Sequence, residues 1–205
     1  MLIDFDGLDP KLRYKLMCGA VIPRPVAWIT TIGKDGTVNA APYSFFNVFG
    51  EDPALVVVGL GHKAGEPKDT TRNILETGEF VVNIPAHSQI GDMVDSAAVY
   101  PAHRGEPDVL DLKLAPSARV APPRLADCPV ALECRKITGL TFGPTRELLI
   151  GEAVALQARD GLIDPETLRF DWQGDFPIAR LFADRYGRIE EIEPHPIPQP
   201  KPEQA

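Results

Sequence analysis

Four aromatic rings stand within seven consecutive positions, and two short hydrogen-bonding side chains lie between them. The rings are Tyr43, Phe45, Phe46 and Phe49. The hydrogen-bonding side chains are Ser44 and Asn47. Apolar walls with a few well-placed donors and acceptors are what a flat aromatic ligand requires. The segment therefore predicts either the wall of a ligand site or core packing around the mouth of a barrel, and two of the rings are expected in the core.

The backbone in this segment must bend if both polar side chains are to reach one ligand. Successive side chains of a regular strand point to opposite faces, so a straight strand would separate Ser44 from Asn47. We expect a bend or turn within 44–47, with Phe46 or Phe49 anchoring the segment in the core.

A second stretch that could carry chemistry is K-D-T-T-R-N-I-L-E-T-G-E-F at 68–80. Asp69 or Thr70 can cap a short helix over 69–77, and Gly78 can end it. The first turn then offers free backbone N–H groups beside the side chains of Lys68, Thr70, Thr71 and Arg72. A helix N-terminus with added cations and hydroxyls favours phosphate, whereas the plainer interpretation is a capped surface helix.

The usual catalytic and metal-binding patterns are missing from the sequence. The four histidines show no zinc-ligand spacing, no G-x-S-x-G motif occurs, and no metal site is expected. The glycines at 59–65 miss the dinucleotide fingerprint by one position, and Pro67 interrupts the helix that it requires. An enzyme with this sequence would take its reactive group from a cofactor. A ligand with a ring at one end and a phosphate at the other would use both stretches, and FMN fits that description.

Strand signals dominate the middle of the chain. Residues 26–43 are typical of a β-hairpin around a turn at 33–36. The continuous apolar run at 54–60 indicates a strand buried on both faces. Further strands are expected at 79–85, 130–138 and 147–158, and short helices at 69–77, 88–98 and 177–184. Because no βαβ alternation occurs, these elements favour a closed antiparallel barrel over a parallel sheet.

Composition and charge limit the classes of function. The 205 residues predict one domain over 1–193 and a proline-rich tail at 194–205, and the six prolines of 101–129 exclude long regular elements there. The net charge of −8 disfavours nucleic-acid binding. The three cysteines are typical of reduced thiols, and neither a signal peptide nor a membrane-spanning run is visible. We therefore expect a cytoplasmic protein that binds neither nucleic acid nor membrane.

Several motifs occur together in an order that resembles one family. They are R-P-V-A-W at 24–28, S-F-F-N at 44–47, K-D-T at 68–70 and G-E-F-V-V-N at 78–83, with further likeness at 122–135 and 148–156. Over most of 15–185 the sequence resembles the flavin reductase-like family of FMN-binding split barrels. The resemblance implies a mainly β fold, a six-stranded antiparallel split barrel with a few short helices. It also implies a homodimer with FMN near the subunit interface.

The resemblance further implies which residues hold the cofactor, which is FMN or, as a second option, FAD. The residues expected to line the flavin are Trp28, Thr30 and Thr31. Those expected at its isoalloxazine and ribityl parts are Ser44, Phe45 and Asn47. Those expected at the ribityl-phosphate end are Lys68, Asp69 and Thr70. Asp69 is assigned to helix capping or to a ribityl hydroxyl, because a carboxylate repels phosphate, and no catalytic side chain is implied.

The function implied by the resemblance is that of an FMN-dependent oxidoreductase of flavin-reductase type. NAD(P)H would deliver a hydride to the flavin, and electrons would pass to free flavin, an iron complex, oxygen or a partner oxygenase. A flavin-binding electron carrier without NAD(P)H activity is the alternative. A split barrel of the pyridoxamine-phosphate-oxidase or haem-handling kind is a third option that rests on fold analogy alone.

Overall fold

Most of the chain is organised around one antiparallel β-sheet. The computed structural model describes residues 1–63, 65–101, 103–143, 146–190 and 193–196, so most of the predicted tail lies outside the described residues. The strands are, in chain order, β1 (Ala27–Ile32), β2 (Val38–Tyr43), β3 (Phe46–Glu51), β4 (Ala54–Lys63), β5 (Glu66–Pro67), β6 (Glu79–Ile84), β7 (Leu114–Ala115), β8 (Arg124–Leu125), β9 (Val130–Phe142), β10 (Arg146–Ala158), β11 (Ala179–Arg180) and β12 (Tyr186–Gly187). The pairs β7–β8 and β11–β12 stand apart from the main sheet.

The two edge strands of the main sheet, β2 and β3, lie close together, because only two residues connect them. The hydrogen-bonded order is β2-β1-β6-β9-β10-β4-β3, with β5 beside β4. β2 ends at Tyr43 and β3 begins at Phe46, although these strands stand at opposite ends of that order. The sheet therefore curls into a barrel whose seam lies at Ser44 and Phe45. Eight strands take part where six were expected, since β3 and the two-residue β5 also join the ladder.

One face of each strand fills the barrel interior. In β4 the side chains of Val56, Val58 and Leu60 are buried, whereas that of Val57 is only partly buried. The prediction that 54–60 is buried on both faces is therefore wrong for the single chain, because a barrel has one interior and the outer face of β4 is covered incompletely. Other interior side chains are Ile29, Phe46, Phe80 and Leu149.

Short helices accompany the barrel. Among the described residues they are α1 (Pro10–Ala20), α2 (Asp69–Thr77), α3 (Ile90–Asp95) and α4 (Glu106–Val109), and a 3₁₀ turn, His87–Gln89, precedes α3. The predicted helix over 69–77 is confirmed, and it ends at Gly78, which adopts the left-handed conformation with φ of 75°. The 3₁₀ turn and α3 correspond to the helix predicted at 88–98. No helix in the described part of the chain is long and apolar enough to cross a membrane.

The helix predicted at 177–184 is wrong. The backbone of Arg180 exchanges two hydrogen bonds of 2.9 Å with that of Arg24, and β11 pairs with β12. Pairing with distant segments satisfies these backbone groups and overrides the local helix propensity. α1 has no counterpart in the sequence prediction, although the carboxylate of Asp9 accepts a hydrogen bond of 2.8 Å from the N–H of Lys11 and a proline opens the helix.

The proline-rich segment 101–129 packs on the sheet through a buried carboxylate. Glu133 of β9 is fully buried, and its carboxylate accepts hydrogen bonds from the backbone N–H groups of Ala118 and Arg119. The side chain of Gln157 on the neighbouring strand donates a further bond of 2.5 Å to the same carboxylate. Backbone donors of the segment thus attach it to the sheet, and its own regular elements are short.

Candidate functional site

The chain bends at Ser44 and Phe45, at the seam of the barrel. This bend lies within the predicted range of 44–47. Beyond it, Phe46 enters the interior with 9% of its surface exposed, whereas Phe49 is 67% exposed. Of the two rings on β3, Phe46 therefore anchors the strand in the core and Phe49 stays on the surface.

Two glycines of β4 form a flat strip beside the bend. The N–H of Gly59 donates a hydrogen bond of 2.7 Å to the carbonyl of Phe45, and a Cβ at position 59 would come within 3.0 Å of the Phe45 Cβ. A Cβ at Gly61 would lie 3.4 Å from Nη1 of Arg146. The absence of side chains at Gly59 and Gly61 thus gives room for the ring of Phe45 and the guanidinium of Arg146 on the outer face of the barrel. This packing role accounts for the glycines that miss the dinucleotide fingerprint.

The ring of Phe45 contacts two arginines. The guanidinium carbon of Arg146 lies 5.0 Å from the ring centroid and that of Arg24 lies 6.0 Å from it. Tyr14 of α1 completes the cluster, with its centroid 5.8 Å from Phe45 and 5.7 Å from the guanidinium of Arg146. Such cation–π contacts hold the guanidinium in place without neutralising its charge.

Arg24 fixes the elements that surround this cluster. Its side chain is buried, and Nη1 donates to the carbonyls of Cys18 and Val21 at the end of α1, each at 2.7 Å. Nη2 donates to the carbonyl of Leu181 at 2.7 Å, and Nε contacts the hydroxyl of Ser44 at 3.5 Å. One guanidinium therefore joins the N-terminal helix, the bend and the segment after β11.

These elements enclose a cavity of about 340 Å³, here named the Phe45 cavity. Its volume lies within the range of roughly 300–1,000 Å³ that is usual for small-molecule sites. Its apolar wall consists of Val26, Pro42, Phe45, Met93 and Tyr186. Its basic side chains are His62, Lys68, Arg146 and Arg180. No carboxylate is found among the described residues that line it, so the cavity is positively charged within a chain of net charge −8.

The cavity contains buried polar atoms that have no hydrogen-bond partner among the described residues. Both ring nitrogens of His62 are buried, and they make no hydrogen bond to any described residue. Burial raises the pKa of Tyr43 to about 12, so its phenol stays neutral and adds no negative charge. Because unpaired buried polar groups are costly, this lining is suited to a guest that is anionic, rich in acceptor oxygens and partly aromatic.

Residues 18–188 match the family model of the flavin reductase like domain. The chain belongs to the flavin reductase-like family. The 2-nitrobenzoate 2-nitroreductase NbaA of Pseudomonas fluorescens is 36% identical, with a TM-score of 0.88 over 97% of this chain and 96% of that one. Nitrilotriacetate monooxygenase component B from Bacillus cereus is 34% identical, with a TM-score of 0.90 over 95% and 98%. A split-barrel protein from Shewanella frigidimarina, 18% identical with a TM-score of 0.82 over 97% and 100%, confirms the split-barrel fold.

Within this family fold, three of the sequence-predicted residues line the Phe45 cavity. They are Ser44, Phe45 and Lys68. Asn47 lies on the exposed side of β3 and accepts a hydrogen bond of 2.9 Å from the N–H of Val48. It lines an adjoining apolar groove that shares Ser44 and Phe45 with the cavity. The bend therefore lies at the border of two surfaces: the cavity has four basic side chains in its lining and the groove has one, Arg24.

The residues expected on β1 lie behind the cavity wall instead of lining it. Trp28 is buried in the same apolar cluster as Val26 and Met93, which do line the cavity. The hydroxyl of Thr30 donates to the carbonyl of Pro123 at 2.6 Å, and that of Thr31 accepts from Asn73 of α2 at 3.0 Å. Both hydroxyls thus form hydrogen bonds to neighbouring elements, and none of the three residues is part of the cavity lining.

The remaining two predicted residues lie beside the cavity at the start of α2. Asp69 and Thr70 line an adjoining cavity of about 320 Å³, which shares Lys68 with the Phe45 cavity. Neither caps the helix through its side chain, because the N-cap position is held by Lys68. The carboxylate of Asp69 is instead paired with Arg72, and the hydroxyl of Thr70 lies 2.8 Å from the amide of Asn39.

Five aromatic or basic residues of the cavity lie outside the aromatic segment and have no counterpart among the predicted site residues. They are Tyr14, His62, Arg146, Arg180 and Tyr186. Most of them come from α1, β10 and the last two strands, far in sequence from the bend. The alternate glycines of G-L-G are the one local signal, since they mark a strand face that another side chain must cross.

Proposed function

We propose that the chain is an FMN-binding oxidoreductase of flavin-reductase type. In this proposal NAD(P)H delivers a hydride to the flavin, and the electrons pass to a small-molecule acceptor such as free flavin, an iron complex or oxygen, or to a partner oxygenase. FMN is the first choice of cofactor and FAD the second. The observation that carries the proposal is the Phe45 cavity, in which an aromatic bend meets a carboxylate-free set of cations next to the start of α2.

The residues of this chain would hold FMN at its two ends. Lys68 and the unpaired backbone N–H groups of the first turn of α2 would bind the phosphate, with His62 as a further donor. The bend from Tyr43 to Phe45 would face the ring system, and Arg24 would hold that bend in position. The bound flavin itself supplies the redox chemistry, so no side-chain acid or base is assigned.

The names of two relatives support both destinations for the electrons. One relative, 36% identical, is a 2-nitrobenzoate 2-nitroreductase, which supports a small-molecule acceptor. The other, 34% identical, is a component of a nitrilotriacetate monooxygenase, which supports transfer to a partner oxygenase. An oxidoreductase role agrees with both, whereas NADH and NADPH remain equal candidates for the reductant.

The test is a flavin titration followed by anaerobic reduction. The apoprotein is titrated with FMN, FAD and riboflavin, and the loaded protein is then mixed with NADH or NADPH while the visible flavin absorption is followed. Tight FMN binding and rapid bleaching are expected. Binding without bleaching would instead identify a flavin-binding electron carrier, and failure to bind any of the three flavins would refute the proposal altogether.

A further inference from the structure

Arg146 carries more hydrogen-bonding capacity than its surroundings use. Among the described residues its guanidinium forms no ion pair, and its side-chain contacts are with the rings of Phe45 and Tyr14 at 5.0 and 5.7 Å. By contrast, the guanidinium of Arg24 donates to three carbonyl groups, and that of Arg135 pairs with a carboxylate. The N–H groups of Arg146 are thus available to a guest in the Phe45 cavity.

Arg146 belongs to a different part of the cavity wall from Lys68. It stands at the start of β10, paired with Gly61 of β4 and with Phe142 of β9, whereas Lys68 stands at the N-cap of α2. In the proposed function, Lys68 and the start of α2 bind the phosphate of FMN. A second cation, supported on aromatic rings, therefore points to a second anionic group.

We propose that Arg146 binds the carboxylate of the electron acceptor, and that this acceptor is a planar aromatic acid. This inference rests on the proposed function, because it assumes that the cavity passes electrons to a small molecule. A guanidinium presents two parallel N–H donors that match the two oxygens of a carboxylate. The rings of Phe45 and Tyr14 beside it offer the apolar surface that a flat ring requires.

The charge of the cavity favours the same class of substrate. No described residue of the lining carries a negative charge that would repel a carboxylate, and Arg180 adds a second guanidinium, held over the ring of Tyr186 at 4.4 Å. A neutral analogue of the acid would leave the donors of Arg146 unpaired in the bound state. Selectivity for the acid over its amide is therefore the property that Arg146 confers.

The electron balance can be written for a nitrobenzoate as acceptor. NAD(P)H gives up a hydride, which carries two electrons and one proton, and solvent gives a second proton. The nitro group loses one oxygen as water and becomes a nitroso group, NAD(P)H becomes NAD(P)⁺, and the carboxylate that binds Arg146 is unchanged. The role of Arg146 is to position this acceptor, and it takes no part in proton transfer.

The test compares an acid with its neutral amide on the flavin-loaded protein and two variants. Arg146→Gln removes the proposed contact. Arg185→Gln is the matched control, because Arg185 also lies over an aromatic ring, that of Phe182 at 5.8 Å, but does not line the cavity. Calorimetric affinities are measured for benzoate and benzamide, and kcat/KM is measured for 4-nitrobenzoate and 4-nitrobenzamide.

In Arg146→Gln we expect benzoate affinity and kcat/KM for 4-nitrobenzoate to fall about 10- to 100-fold, as for the loss of a charge-assisted contact. The values for both amides should stay unchanged, and Arg185→Gln should match the wild type. Equal benzoate affinity in Arg146→Gln and the wild type would overturn the proposal. So would a selective loss of FMN relative to riboflavin in that variant, because Arg146 would then be a phosphate ligand.

Two further measurements separate this inference from the proposed function. If Arg146→Gln does not fold, Arg146→Lys is used, because it keeps the positive charge but lacks the two parallel N–H donors of the guanidinium. Weaker benzoate binding by Arg146→Lys supports the inference, and unchanged binding refutes it. If the wild type binds no flavin, the proposed function fails, and benzoate and benzamide are then titrated against the apoprotein. A preference for benzoate that depends on Arg146 would still support the carboxylate site, and its absence would refute it.

Discussion

Lys68 is the side chain on which the assignment of the phosphate end depends. It lines both the Phe45 cavity and the cavity that adjoins α2, and no described carboxylate forms an ion pair with it. Its position at the N-cap places its charge beside the free N–H groups of the helix. Arg72, which the sequence grouped with it, is paired with Asp69 instead. The cations that accompany Lys68 in the cavity are therefore Arg146 and Arg180.

We expect Lys68→Ala to weaken FMN binding more than riboflavin binding, because only FMN carries the phosphate. A charge-assisted contact of this kind is worth about 1.5–3 kcal/mol. Fluorescence titrations of the two ligands measure the difference, and Lys15→Ala, on the exposed side of α1, is the control. Equal losses for FMN and riboflavin would show that Lys68 does not face the phosphate.

Phe46 and Phe49 allow the stability contribution of a buried ring to be compared with that of an exposed ring on the same strand. Phe46 lies in the barrel interior and is 9% exposed, whereas Phe49 on the same strand is 67% exposed. Phe46→Ala should lower the free energy of unfolding by about 3–5 kcal/mol, as deletion of a buried ring does. Phe49→Ala should leave the free energy of unfolding of the single chain nearly unchanged. Urea titrations of both variants measure this, and similar losses in the two would contradict the anchoring role of Phe46.

Asn47 tests whether the apolar groove belongs to the flavin site. It lies one residue beyond Phe46 on the exposed side of β3, in the groove that shares Ser44 and Phe45 with the Phe45 cavity. If its amide contacts flavin, Asn47→Leu should weaken FMN binding by about 1–3 kcal/mol while the melting temperature stays the same. Unchanged FMN affinity in this variant would restrict the site to the basic cavity.

The sequence-predicted residues that line the Phe45 cavity come from two continuous stretches. Ser44 and Phe45 lie in the aromatic segment and Lys68 at the helix start, so composition and local spacing were enough to find them. Arg146 and Tyr14 lie about 100 and 30 residues away from that segment, and only the closed barrel brings them to Phe45. Such a contact depends on strand order and register, which no local pattern encodes.

At the scale of elements, the strands of the main sheet and α2 were predictable, whereas α1 and the C-terminal segment were not. The pattern at 147–158 matches β10, Arg146–Ala158, because alternation along a half-buried strand is a strong local signal. The segment 177–184 has a helical composition, yet Arg180 pairs with Arg24 and Ala183 adopts φ of 51° in the turn between β11 and β12. Backbone pairing with Arg24 and with β12 therefore determines the conformation of this segment.

Glu133 on β9 makes the stability of the fold depend on pH. Burial alone raises the pKa of Glu133, but hydrogen bonds from Ala118, Gln157 and Arg119 favour the ionised form, so the net pKa lies below its ordinary value. A carboxyl with a lower pKa in the folded state stabilises the fold above its unfolded pKa of about 4.3. That contribution is lost as the pH falls through the folded pKa.

We therefore expect Glu133→Gln to lower the free energy of unfolding at neutral pH by about 1–3 kcal/mol, because a buried network is left unpaired. The gap between variant and wild type should narrow as the pH is lowered below about 4. Denaturant unfolding at several pH values measures it, with the exposed Glu51→Gln as control. A gap that is constant from pH 7 to the acid range would rule out ionised Glu133 as its source.

At the scale of the whole molecule, the single chain leaves an apolar outer face uncovered. The run at 54–60 has the composition of a strand buried on both faces, yet only the interior face is buried. Residues paired across antiparallel strands share a face, so Gly59, Leu148 and Leu140 lie in one outer row, and Leu140 is 45% exposed. The next row along the same face contains Gly61, Arg146 and Phe142, and Phe142 is 63% exposed. This uncovered face therefore continues directly into the Phe45 cavity.

We propose that a second copy of the chain covers this face, which makes the protein a homodimer with the cavity at the edge of the interface. Exposed apolar surface of this kind usually marks an association site. Leu140→Glu would place two like charges across a symmetric interface, so we expect it to shift the protein from dimer to monomer and to weaken FMN binding at the same time. Leu168→Glu, at an exposed turn residue, is the control. Sedimentation velocity at micromolar concentration measures the state, and a wild type that sediments as a stable monomer would show that the outer face of β4 is simply left to solvent.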